Sequence, residues 1–278
     1  MTSAATTSLT STEPSTTGPA DEVRVLQLDV VPAFGDIVHV AAGNPVLVLY
    51  RDGLLMIRID RAAARLAPAP SSLSSPSMYE AFQIGRNGMS TVMEALEVTS
   101  TAMTAPDVGD APAAADLDVT RIALGEGSSS QEVLIEGAGV ASEATGNDSE
   151  SRAQLEGFLS HILDPVAWLG PDMVTAVSVS PRYVGLMSPR EEAPPNNVID
   201  WPLLHPVDVV EFSVDLVVTT ASLSCLELSG NDVERLGEAA AAIRTPTWVS
   251  NGQLFVLALR PLLPDESDCH RLRPSAGQ

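Results

Sequence analysis

The side chains here that could do chemistry are two cysteines, four histidines and a surplus of carboxylates. Cys225 and Cys269 stand 44 positions apart. That spacing is no Cys-x-x-Cys redox pair, and two thiolates alone are too few ligands for zinc. The two residues are either buried free thiols or a disulfide. The disulfide is favoured, because Cys269 falls just past the last predicted strand in a polar terminal segment. Closing a loop of this length stabilises by roughly 4 kcal/mol in the chain-entropy account. A disulfide also implies an oxidising compartment.

The histidines offer less. His39, His161, His205 and His270 fall in no ligand spacing such as His-Glu-x-x-His, so each reads as structural. His161 stands near the C-terminus of a predicted helix, where positive charge is welcome. Asp107, Asp110, Asp116 and Asp118 supply oxygens of the kind calcium takes, but without the spacing of a calcium loop. They read as a solvated acidic loop. Gly125-Glu126-Gly127-Ser128-Ser129-Ser130 follows a strand but lacks a third glycine, and a strand follows it. Phosphate binding needs a helix N-terminus there. Gly137-Ala138-Gly139 fails in the same way, and no Gly-x-Ser-x-Gly elbow occurs. No cofactor and no metal is expected.

All 15 basic residues are arginine. Without lysine there is no Schiff base, P-loop or kinase ATP site. The 36 Asp and Glu residues give a net charge of -21. That balance argues against a nucleic-acid or anionic-membrane partner and suits solubility or a cationic partner. No run of apolar residues is long enough to span a membrane.

The elements that must position these groups follow from hydrophobic pattern. Hydrophobic content of 45% is ample for a core. Residues 1–21 are Ser, Thr, Ala and Pro and read as a disordered leader. They have neither the basic nor the apolar region of a signal peptide, so the protein is cytoplasmic unless export elements precede Met1. Alternation predicts a strand over 22–31, and a shorter one is a candidate at 36–41. Apolar runs over 45–50 and 54–59 flank Arg51-Asp52-Gly53, a strong hairpin signal. A Pro/Ser linker over 67–77 precedes a strand over 78–84. A helix over 87–100 carries Met89, Val92, Met93 and Leu96 on one apolar face. The stretch 105–115 reads as a loop, 117–124 and 131–136 as a second hairpin, and 137–151 as a loop. A helix over 152–163 has Leu155, Phe158, Leu159 and Ile162 on one face and ends at Asp164-Pro165. Then come a strand over 173–186, a proline-rich loop over 188–197 and one or two strands within 214–228. A helix over 231–243 with Asn231 as N-cap and a last strand over 253–262 complete the pattern. Trp201-Pro202-Leu203 reads as an anchor that plugs the preceding loop into the core. Ile84-Gly85-Arg86-Asn87 is echoed by Leu228-Ser229-Gly230-Asn231 at an offset of 144 positions, as a matter of topology, not ancestry.

Several of these strings recur together. Pro45 with Tyr50-Arg51-Asp52-Gly53, Asp200-Trp201-Pro202-Leu203, Cys225 with Gly230 and Trp248, and Arg260-Pro261-Leu262-Leu263-Pro264-Asp265-Glu266 before Cys269 resemble an uncharacterised family of actinobacterial proteins. Many of its members look secreted or lipoprotein-like. The resemblance covers roughly residues 22–270. It implies an envelope location and pairing of Cys225 with Cys269, and no activity.

The expected fold is α+β, mostly antiparallel sheet with about three helices. Residues 22–270 form one domain, with subdomains 22–140 and 152–270 as an option, before a disordered tail at 271–278. The expected role is a non-catalytic extracytoplasmic binding or interaction domain of unknown ligand. Its rivals are a hydrolase whose Asp, His and Ser residues meet only in three dimensions, and a cytoplasmic structural partner protein. No catalytic residue is singled out. Cys225, Cys269, Asp52, Gly53, Trp201, Arg260 and Pro261 are the residues expected to matter structurally.

Overall fold

A computed structural model describes residues 23–31, 45–59, 78–104, 119–125, 131–136, 150–203, 210–216, 219–243 and 246–272. The leader 1–21, the candidate strand at 36–41, the linker 67–77 and the loop 105–115 lie outside the described residues. So do most of 137–151, the histidines His39 and His205, the four clustered aspartates and the end of the tail.

The first half of the fold contains β1 (Arg24–Val31), β2 (Leu47–Tyr50), β3 (Leu54–Ile59), β4 (Met78–Ile84), α1 (Arg86–Met103), β5 (Val119–Leu124) and β6 (Gln131–Glu136). It continues through α2 (Glu150–Ile162), α3 (Pro165–Leu169) and β7 (Val174–Val177). The second contains β8 (Arg182–Arg190), β9 (Val198–Asp200), β10 (Val210–Leu216), β11 (Thr219–Leu228), α4 (Gly230–Ala240), β12 (Thr247–Ser250) and β13 (Gln253–Leu262). A seven-stranded sheet has the order β6-β5-β1-β2-β3-β4-β7, and a six-stranded sheet the order β10-β11-β8-β13-β12-β9. Pairing is antiparallel except between β9 and β12. The fold is therefore α+β, with four α-helices among the described residues.

Local chemistry explains the elements that match the sequence pattern. Gly53 closes the β2–β3 turn at φ 90°, where a Cβ would run into the Ile84 carbonyl. Its N–H donates to the Tyr50 carbonyl, and the Asp52 carboxylate accepts from the Leu54 N–H. The apolar stripe of α2 is buried as its spacing requires. Both strand–helix junctions of the internal echo have the same extended N-cap, Gly85 at φ -68°, ψ 165° and Ser229 at φ -77°, ψ 163°.

Four expectations are corrected. The predicted strand 173–186 is two strands, β7 in the first sheet and β8 in the second, and of the alternating Val174, Ala176, Val177 and Val179 only Val174 is buried. The loop expected over 188–197 begins later, because β8 continues through Pro189. That proline lies past Met187, where the pairing of β8 with β11 ends, so a missing N–H is tolerated there. Helix α4 starts one residue early and is capped by Ser229, not Asn231; Ser229 and Asp232 form a reciprocal capping box. On α1, Val92 and Leu96 are buried, but Met89 is half-buried and Met93 is exposed. The chain passes from the first sheet to the second at residues 178–181.

The sheets are covered on both faces. One face of the first sheet packs Leu26, Leu28, Leu47 and Leu49 against Val92, Leu155, Leu159 and other residues of α1 and α2. Its other face presents Val48, Tyr50, Met56 and Ala81, among which Leu263 is buried. All four residues of β2 are consequently buried. In the second sheet, Met187, Leu228, Leu257 and Leu259 pack beneath Leu236 and Ala240 of α4. The opposite face packs Val184, Leu186, Val256 and Ala258 beside Cys225 and Cys269.

Cys225 of β11 and Cys269, which opens a 3-10 turn, are joined in a disulfide with Cα atoms 5.8 Å apart. The bond ties the chain beyond β13 to the sheet. Cys225→Ser is expected to lower stability by about 4 kcal/mol under oxidising conditions and to match the wild type in reductant. Thermal melts with and without reductant check this; an equal loss in both would assign the effect to packing of the side chain instead.

Candidate functional site

Two places gather polar side chains. The first is the junction between the sheets, and it starts with a bulge. In an unbroken β1, Arg24 would share a face with Leu26 and Leu28. A register shift between Arg24 and Leu26 turns it over, so that Leu26 pairs with Leu49 on the helix side and Arg24 pairs with Tyr50 on the other.

Arg24 then grips the segment after β13. Its Nε lies 2.8 Å from Asp265 Oδ2 and its Nη2 donates to Asp265 Oδ1 at 2.9 Å, a two-pronged pair. The same Nη2 lies 3.3 Å from Glu266 Oε1, which also accepts from Arg260 Nη2. The other oxygen of Glu266 accepts from the Leu263 N–H at 3.1 Å. Tyr50 donates its hydroxyl to Asp265 Oδ1 at 2.7 Å. The chain of contacts continues across the first sheet. Arg24 donates to Gln27, Gln27 to Asp29, and Arg121 bridges Asp29 and Glu132.

Burial weighs against the charge on Arg24, but Asp265, with Tyr50 and Glu266, outweighs it and lifts the guanidinium pKa above its usual range. Burial, and then the Asp265 carboxylate, push the Tyr50 phenol well above its ordinary value. Burial also raises Tyr79 and Tyr183. The Glu132 hydrogen bond raises Arg121. Arg260 and Glu266 have no exposed surface. These carboxylates face cations and backbone inside the protein, which is a joint rather than a place for substrate.

The second place is open. A groove of about 1030 Å³ runs beside α1, lined by Met89, Met93 and Leu96 on the helix and by Val25 and Leu124 at one end of the sheet. Gly53 abuts it, since a Cβ there would lie 3.3 Å from Met89 Cγ. Polar residues rim it: Arg51 and Arg86 near the start of α1, Glu94 and Glu97 further along. Arg86, Met93, Glu94 and Glu97 are all exposed, and Met93 keeps 46% of its surface in solvent. The groove can hold apolar groups against adaptable methionines and sort charges at its rim.

The residues singled out by sequence are scattered. Arg260 and Pro261 lie at the end of β13, Arg260 in the junction and Pro261 where β12 no longer flanks the strand, its pairing having stopped at Phe255. Asp52 and Gly53 shape the turn beside the groove. Trp201 stands edge-on to Trp248 at 5.6 Å and tilts against Phe255 at 5.3 Å, while its backbone N–H donates to the Val249 carbonyl. His161 stacks on Trp168 at 5.5 Å. The sequence reading missed Arg24, Asp265 and Glu266 as a cluster. It also took Met89 and Met93 for core. Their spacing carries no distinguishing signal, since they fall on the same apolar face as the buried Val92 and Leu96.

Among the described residues no three His, Cys, Asp or Glu side chains converge as metal ligands, and no helix is long and apolar enough to cross a membrane. No family model, curated protein or solved structure matches the chain.

Glu266→Ala leaves Arg260 buried without its carboxylate and is expected to destabilise by about 3 to 5 kcal/mol. Exposed Glu94→Ala is the control, with little change expected in urea unfolding. Equal losses for the two would show that the junction contributes no more than a surface charge.

Alkaline pH tests the same joint. An unfolded tyrosine ionises near pH 10, whereas folded Tyr50 holds its proton to higher pH. Below that value both states are protonated and stability is flat. Above it the unfolded state releases the proton first, so stability falls as pH rises, by up to about 1.4 kcal/mol per unit for Tyr50. The Tyr50 share of the tyrosinate absorbance, taken by difference from Tyr50→Phe, is expected to appear only with unfolding; titration of Tyr50 near its ordinary value in the folded protein would contradict this.

Proposed function

We propose that this chain is a non-catalytic binding domain that works outside the reducing cytoplasm and receives a protein partner in the groove beside α1. The observation that carries the reading is the groove itself, an open channel lined by an exposed methionine among apolar residues and by two arginines and two glutamates. Three further points support it. The Cys225–Cys269 bond suits an oxidising compartment. The buried carboxylates at the junction are engaged by arginines and a tyrosine. The resemblance to secreted and lipoprotein-like actinobacterial proteins implies the same location.

Met93 is solvent-exposed, so Met93→Asp is expected to fold with an unchanged melting temperature. Panning a phage-displayed peptide library on the wild type, with Met93→Asp as counter-target, is expected to yield peptides that bind the variant at least tenfold more weakly. Selection of peptides that never discriminate the two proteins would overturn the reading.

A further inference from the structure

Resting on that reading of the groove, we infer that its occupant is one face of an amphipathic α-helix about three turns long, acidic at one end and basic at the other. The walls decide between a helix and a strand. Val25 and Leu124 belong to β1 and β5, and β1 is hydrogen-bonded on both sides, to β5 and to β2. The wall opposite α1 therefore offers strand ends and side chains, with no free edge of β1 for strand addition. Helix α1 also packs against α2. The groove thus flanks a helix that already has one helical neighbour, and a second helix can lie along it.

Spacing sets the length. Met89, Met93 and Leu96 recur at i, i+4 and i+7, the rhythm on which a partner helix interdigitates. From Arg86 to Glu97 the rim runs roughly 16 Å at 1.5 Å per residue, which is three helical turns.

Charge sets the ends. Arg86 occupies the first turn of α1, where the positive pole of the helix adds to it, and Arg51 lines the same end. Glu94 and Glu97 follow two to three turns later on the same wall. A partner that is acidic beside Arg86 and basic beside Glu94 and Glu97 meets opposite charge at both ends. One that is basic throughout meets Arg86 unfavourably, despite the acidity of the chain as a whole.

Three synthetic helical peptides with the same apolar stripe test this: one acidic at one end and basic at the other, one basic at both ends, one acidic at both ends. The readout is the methyl NMR signals of Met89 and Met93, with affinities from the titrations. The mixed-end peptide is expected to shift both methyls and to bind the wild type about three- to tenfold more tightly than either other peptide. Arg86→Glu, an exposed change that suits a helix N-terminus, is expected to move the preference to the doubly basic peptide. If the doubly basic peptide binds the wild type best, the charge order is overturned. If no helical peptide moves the two methyls while the phage-selected peptides do, the helical occupant is wrong and the binding reading stands. If neither set moves them, both fall.

Discussion

A buried guanidinium stays charged, and taking it out of water is costly unless a carboxylate lies beside it; this fold is organised around meeting that demand. Arg260 and Glu266 have no exposed surface, and Arg24 joins them from the other sheet. Removing two charges from water costs several kcal/mol per ion unless geometry and further hydrogen bonds repay it. Here they come from a bidentate contact, a tyrosine hydroxyl and a backbone N–H. Such a set forms fully only when the end of β13 sits against β1 and β2. The junction therefore favours one relative placement of the sheets, a specificity that the apolar contact of Leu263 with Val48, Tyr50, Met56 and Ala81 does not by itself impose.

The disulfide works on the same segment from its far side. Between Glu266, held by two arginines, and Cys269, held by Cys225, only two residues intervene. Arg182 adds bonds to the Glu266 and Ser267 carbonyls at 3.0 Å each. The covalent bond acts mainly by restricting the unfolded chain, whereas the ion cluster acts in the native state. The two are thus complementary, and both secure a short polar stretch that would otherwise fray from the sheet.

Much of this fold could be read from local pattern. The Asp52-Gly53 turn, the buried stripe of α2 and the last strand each follow from residue type and period, because local backbone preference and burial agree there. What could not be read depends on partners distant in sequence. The stretch 173–186 alternates well enough to pass for one strand; only pairing with β4 on one side, and with β11 and β13 on the other, divides it. The bulge at Arg24 is invisible until Tyr50 is seen opposite it. Asp265 and Glu266 look like the solvated start of a tail, and their burial is set by residues more than 200 positions away. Ser229 and Asn231 are both good caps, and Asp232 decides between them because its carboxylate accepts a hydrogen bond from the Ser229 N–H. The candidate groove was the least legible part, since Met89 and Met93 share the helical spacing of true core residues and differ from them only in what the sheet leaves uncovered.

Burial also alters the charge that a partner meets. Among the described residues Arg24, Arg58, Arg152 and Arg260 are buried, but only two carboxylate residues, Asp29 and Glu266, are buried with them. The fold thus withdraws more positive than negative charge from a surface that begins from a net of -21. An exposed arginine at one end of the groove is then a local reversal of sign within a negative field. Long-range attraction gathers cationic partners without choosing among them. A short-range repulsion from Arg86 at one end of the seat does choose, because it penalises the wholly basic competitor that the field itself recruits. In the proposed complex, attraction from the acidic surface and rejection at the arginine end of the groove divide the task, and the methionines between them need only supply adaptable apolar contact.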